Sequence, residues 1–172
     1  RDPRTPASLI DLTDFYTAGL DGDWRDSRLA GHNLSRLPRG RQVFDGVEYD
    51  VRGLIQLSST TLEPRKLHLP QAVRGIPVQR PCQRLHFLHA ADGAVDAGET
   101  LATYAVRWAD GREERFPIRY AVEAWPWDWE PLSADPAAVV AWNGSSPAGL
   151  PVWLFRTTWT NPHPDVAVAA LD

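Results

Sequence analysis

The feature that most constrains this chain is side-chain parity between Thr100 and Tyr120, where two extended runs meet at Ala109-Asp110-Gly111. Side chains alternate faces along a strand, so a one-residue slip in pairing moves every one of them to the wrong side. A two-residue loop at Asp110-Gly111 sets Ala105 against Phe116 and Trp108 against Glu113, mixing apolar and charged positions on both faces. A three-residue loop, with Gly111 in the left-handed region, puts Tyr104, Val106 and Trp108 on the face of Phe116, Ile118 and Tyr120. It also sets Arg107 opposite Glu113. The prediction is a hairpin with a bulged three-residue turn, one face buried and the other wet.

The same grammar of short apolar runs cut by turn residues extends along the chain. Val43-Phe44 and Val47 to Val51 flank Asp45-Gly46 as a second hairpin, and Leu9 to Leu12, Leu54 to Leu57 and Gly75 to Val78 read as short extended pieces. Arg84 to His89, Pro136 to Trp142, Val152 to Thr160 and Asp165 to Leu171 complete the set. In the Val152 to Thr160 run, Trp153, Phe155, Thr157 and Trp159 fall on one face. Fifteen Pro and twelve Gly among 172 residues punctuate these runs, and no long helical pattern is present to cover a parallel sheet. The fold class is all-β, as a two-layer antiparallel β-sandwich, with a linker over residues 1–8 and a single β-sandwich domain over 9–172. Asp14 to Leu37, with little periodicity, reads as a long ordered loop of the kind that often carries function.

The formal net charge of −4 disfavours nucleic acid, whose binding draws on clustered basic residues, and no apolar run approaches membrane-spanning length. Neither a nucleic acid nor a membrane is therefore an expected partner. A chain opening on Arg1 with no Met reads as part of a longer polypeptide. Cys82 stands alone, which excludes an intrachain disulfide and suits a small buried hydrophobe better than a nucleophile.

Three stretches together resemble bacterial β-sandwich modules of the galactose-binding-like (discoidin, jelly-roll) type. They are Phe44 to Val51 with Leu54 to Leu57, then Arg84 to His89, then Thr158-Trp159-Thr160-Asn161-Pro162-His163-Pro164 before the last strand. The resemblance covers most of residues 9–171. It implies an accessory module attached to a larger secreted, surface or signalling protein, outside the cytoplasm, with carbohydrate or other domains of the parent polypeptide as partners.

His86 and His89 stand three apart, so a regular strand points them to opposite faces and they cannot chelate one ion together. Asp21, Asp23 and Asp26 form an acidic loop with hard oxygen donors but without the Gly and distal Glu of an EF-hand. The galactose-binding-like resemblance implies a structural calcium there, against a solvated turn as the alternative. Ser58, Ser59, Ser145 and Ser146 lack a nucleophile-elbow setting, while Glu123, Asp128 and Glu130 lie among tryptophans where a glycosidase pair is conceivable. Asn33-Leu34-Ser35 and Asn143-Gly144-Ser145 match a glycosylation acceptor pattern that the bacterial resemblance makes incidental.

Eight tryptophans form the most informative group, because flat indole faces stack on sugar rings while nearby polar groups bond the hydroxyls. Trp125, Trp127, Trp129 and Trp142, with Asp128 and Asn143, are the candidate ligand-binding residues; Trp108, Trp153 and Trp159, on alternating runs, are assigned to the core. The leading expectation is a non-catalytic carbohydrate-binding accessory module of a larger bacterial multidomain protein. Alternatives are a structural or protein-interaction domain with all tryptophans buried, and a glycoside hydrolase-type domain using Asp128 or Glu130.

Overall fold

The computed structural model describes residues 3–22, 29–58, 69–131 and 138–172, and its regular structure is antiparallel β apart from one 3-10 turn, Thr13–Phe15. Contacts group the chain into two compact units, Arg1–Val73 with Gly144–Val152, and Arg74–Asn143 with Trp153–Asp172.

The first unit is built on a hairpin of β1 (Gly40–Phe44) and β2 (Val47–Val51), closed by the pair Phe44 and Val47. Both turn residues are left-handed, Asp45 at φ 46° and Gly46 at φ 73°, the type I′ geometry whose twist matches the strands. Leu9 to Leu12, expected as a strand, is irregular and runs into the 3-10 turn. The Asp11 carboxylate accepts from the Thr13 N–H (3.1 Å) and hydroxyl (2.6 Å), and such local bonding competes with a strand ladder. Leu54 to Leu57 likewise reduces to a single bridge, Leu54 with Ala18.

Asp14 to Leu37 is ordered, where described, by its own polar anchors. Buried Asn33 donates to the Asp21 carbonyl (3.1 Å) and accepts from the Ser35 N–H (3.1 Å). Arg36 reaches the Ser146 carbonyl and the Ser145 hydroxyl, both at 3.1 Å, tying the 144–152 tip into this unit.

The second unit carries β3 (Ile76–Arg80), β4 (Arg84–His89), β5 (Thr100–Trp108), β6 (Glu113–Arg119) and β9 (Val168–Leu171). It also holds most of β7 (Val139–Ser145) and β8 (Pro151–Thr160), whose shared tip belongs to the first unit. The sheets run β3-β9-β5-β6 and β4-β8-β7, so β6 and β7 are edges. The central hairpin has the expected register: Arg107 faces Glu113 and Tyr104 faces Phe116. Gly111, at φ 90°, donates its N–H to the Trp108 carbonyl, the three-residue bulged turn that parity demanded.

Rings from the two sheets pack against one another. Phe87 of β4 stacks on Tyr104 of β5 at 4.2 Å, and Trp159 of β8 lies 5.8 Å from Trp108 and 6.2 Å from Phe116. Each such ring pair contributes about 0.5–1.5 kcal/mol beyond the area it buries. Val106, Phe155 and Val168 are fully enclosed in the same unit. Asn161 joins the layer at its end, accepting from the Trp108 indole and donating to the Cys82 carbonyl.

Candidate functional site

The two histidines of β4 occupy opposite faces. His86 turns outward to the Thr158 hydroxyl at 2.9 Å. His89 turns inward, where Tyr104 (3.4 Å), Thr157 (3.0 Å) and the Glu123 carbonyl (3.1 Å) surround it. Burial pushes the His89 pKa down to about 4, against the opposing pull of the Glu123 carbonyl and charge, so the ring is neutral at pH 7. A carbonyl only accepts, so Nε2 carries the proton and Nδ1 accepts the Tyr104 O–H. The Thr157 hydroxyl also donates to the Glu123 carbonyl (3.1 Å), and the cluster thus fixes the turn that follows β6.

That turn borders a groove of about 460 Å³ in the second unit, opening between β6 and β8. Its apolar wall is half-buried Phe116 and exposed Pro117 on the edge strand, backed by Trp159, which is buried behind Phe116 with the two ring planes 11° apart. Proline lacks an N–H and so interrupts edge pairing there, leaving a ring surface instead of a hydrogen-bonding ladder. Trp159 is oriented by its indole N–H, which donates to Glu114 at 3.3 Å.

The polar rim is Arg119, Glu123, Arg156, Thr157 and Thr158, with Val139 at the start of β7. Arg119 clasps the Glu123 carboxylate through its guanidinium, and the Arg119 backbone N–H adds a bond at 2.8 Å. Partial burial opposes the charge on Glu123, but the bonds from Arg119 outweigh it and hold the carboxyl below its ordinary pKa. Arg156 donates to the Thr158 hydroxyl at 3.1 Å. Glu123 is the one carboxylate among the lining residues, and Asp128 and Glu130 do not line the groove. An apolar wall facing guanidinium and hydroxyl groups suits a polyhydroxylated ring.

The tryptophan loop is docked through its backbone. The Ala91 N–H donates to the Trp125 carbonyl (2.9 Å), the Trp127 N–H to the Ala91 carbonyl (3.1 Å) and the Trp153 N–H to the Trp127 carbonyl (2.6 Å). Trp125 and Trp127 are consequently buried; Trp125 packs with Ala138 and Phe155, with Trp153 against the cluster. They do not offer a stacking face. Trp129 does, at 55% exposure, between half-buried Asp128 and exposed Glu130. Trp142 is half-buried on β7 and Asn143 is exposed. The six candidate ligand residues therefore divide between core and surface.

Asp21 is exposed and pairs with Arg39 at 3.5 Å, while Asp23 and Asp26 lie outside the described residues. Among the described residues no three His, Cys, Asp or Glu side chains converge on a metal position. Burial raises the Cys82 thiol pKa against the lowering effects of Asn161 and Arg80, which keeps it protonated. The groove escaped the sequence reading because β6 and β8 come from distant parts of the chain. Two signals pointed to it: Pro117 within an otherwise regular strand, and the polar pair Arg156 and Thr158 in an apolar one.

No protein-family model, curated protein or solved structure matches this chain.

Proposed function

We propose that this chain is a non-catalytic carbohydrate-binding accessory module of a larger bacterial protein, of the galactose-binding-like, jelly-roll type, and that the sugar lies in the β6–β8 groove. The observation that carries the reading is the wall of half-buried Phe116 and exposed Pro117 set against Arg119, Arg156 and Thr158. Packing on the Phe116 and Pro117 rings and bonds from the rim together match a saccharide, which is apolar on its ring faces and polar at its edge. The strand order supports the jelly-roll assignment, since β9 enters between β3 and β5 and β8 between β4 and β7, crossovers of Greek-key character.

A glycan array probed with the intact chain tests it, followed by intrinsic tryptophan fluorescence during titration with each hit. Thr158→Trp, at an exposed position on the rim, fills the groove and should abolish binding, whereas Trp129→Ala should leave it intact. Binding lost in Trp129→Ala and kept in Thr158→Trp would move the ligand to the tryptophan loop. An absence of binding to plant, bacterial and marine polysaccharides would sink the reading. The burial of Trp125 and Trp127 favours a second reading, a structural or protein-interaction domain, and that reading fails if Thr158→Trp alters any glycan affinity.

A further inference from the structure

The cross-strand register places Arg84 opposite Thr160, His86 opposite Thr158 and Leu88 opposite Arg156. Directly paired residues project from the same face, and the inward residues here are Phe87 and His89, so this alternate set lines the outer face. Arg84, Thr158 and Thr160 are exposed on it, with His86 and Arg156 partly so. The chain carries a net charge of −4, yet β4, β7 and β8 contain no Asp or Glu at all. Its ionisable groups on this face are Arg84, His86 and Arg156. Burial, then the charges of Arg156 and Arg84, lower the His86 pKa, which registers a positive field at the centre of the strip.

This strip runs into the groove, because Arg156 and Thr158 belong to both. We infer that the groove and the outer face of β4 and β8 together bind an acidic polysaccharide, with one ring against Phe116 and Pro117 and carboxylates or sulfates along Arg156, His86 and Arg84. The inference rests on the carbohydrate reading and names the substrate class of its site. Arg84 and Arg156 sit four residues apart along the paired strands, about 13 Å at 3.3 Å per residue. A single sugar cannot touch both, so affinity should depend on oligomer length. Charge complementarity selects the occupant: the strip carries no carboxylate, the groove's one carboxylate, Glu123, is paired with Arg119, and the threonine hydroxyls between the cations suit sugar hydroxyls.

The test uses the intact chain and a series of galacturonate oligomers, the same oligomers as methyl esters, a neutral galactan of equal length, a sulfated galactan and polyglutamate, each by calorimetry at two salt concentrations. The expected result is binding to an acidic oligomer that strengthens with length, is at least about tenfold weaker or lost in the uncharged analogue, and falls as salt rises. Arg84→Gln, at an exposed site that does not line the groove, should weaken the acidic oligomer by about three- to tenfold and leave a neutral one unchanged. Equal binding of charged and uncharged oligomers would overturn the acidic class while leaving the carbohydrate reading standing. Tighter binding of polyglutamate than of any sugar would overturn the glycan and identify the occupant as an acidic polypeptide. No binding to any saccharide would end both readings together.

Discussion

The Asn161 side chain and the Trp108 indole meet in the core of the second unit, where Oδ1 accepts the ring N–H at 3.2 Å. The same oxygen takes the His163 N–H (2.8 Å), and Nδ2 donates to the Cys82 carbonyl (2.8 Å). One amide thus satisfies three groups in the segment where the chain leaves β8. The Asn-Pro-His-Pro step has a structural use: Asn161 locks the exit, and His163 packs edge-on to Trp108 at 5.3 Å.

Replacing Asn161 with Ala therefore removes the partner of the buried Trp108 indole N–H, of the His163 N–H and of the Cys82 carbonyl. Such losses cost about 1–3 kcal/mol per group, so Asn161→Ala should destabilise the protein by about 3 kcal/mol. Urea denaturation checks this, with a lower midpoint and an unchanged slope as the expected outcome. Asn161→Asp should recover only part of the loss, since it keeps the acceptor and removes the donor to Cys82.

His89 makes stability depend on pH. Its folded pKa of about 4 lies below the ordinary 6.5, so between those values the unfolded chain binds the additional proton. Stability from this group is present above pH 6.5 and is lost as pH falls toward 4. The linkage is worth about 3 kcal/mol across that window. His89→Gln keeps an N–H for the Glu123 carbonyl but does not titrate, so its stability relative to the parent should improve by about that amount between pH 7 and pH 4. A pH-independent difference in denaturation midpoint would contradict the burial of a neutral imidazole.

The hairpin turn gives a prediction about backbone geometry alone. Gly111 sits at φ 90° with no heavy atom near the position of a Cβ, so a substitution meets conformational strain and no clash. Gly111→Ala should cost about 1–2 kcal/mol, and Gly111→Asn less, because Asn tolerates the left-handed region better. Equal costs for the two, measured by thermal unfolding, would contradict a left-handed turn.

Turns were legible in the sequence because their information is local. Asp45-Gly46 and Ala109-Asp110-Gly111 specify dihedrals that few residues adopt, and parity then fixed the face of Tyr104, Phe116 and Trp159. The opposite faces of His86 and His89 followed from the same alternation. Leu9 to Leu12 misled because a single side chain, Asp11, redirects the backbone after an apolar run. The fate of the loop tryptophans was not legible. Trp125 and Trp127 are buried by backbone bonds to Ala91 and Trp153, each more than 25 residues away, and no local pattern encodes such docking. The groove was hidden for the same reason, being made where the edge of one sheet passes a strand of the other.

The contrast between Trp127 and Trp129 separates the two roles that one short loop combines. Both lie in the same run of Trp, Pro and acidic residues, yet Trp127 is 3% exposed and Trp129 55%. Removing a buried indole costs about 3–5 kcal/mol, so Trp127→Ala should destabilise by that order, while Trp129→Ala should stay within about 0.5 kcal/mol of the parent. Quenching makes the comparison independent of stability. Iodide reaches only exposed indoles, so Trp129→Phe should remove a quenchable part of the emission, and Trp127→Phe should leave that part in place. If Trp127→Phe removed it instead, the docking of this loop through Ala91 and Trp153 would be wrong, and Trp125 and Trp127 would return as candidates for the sugar platform.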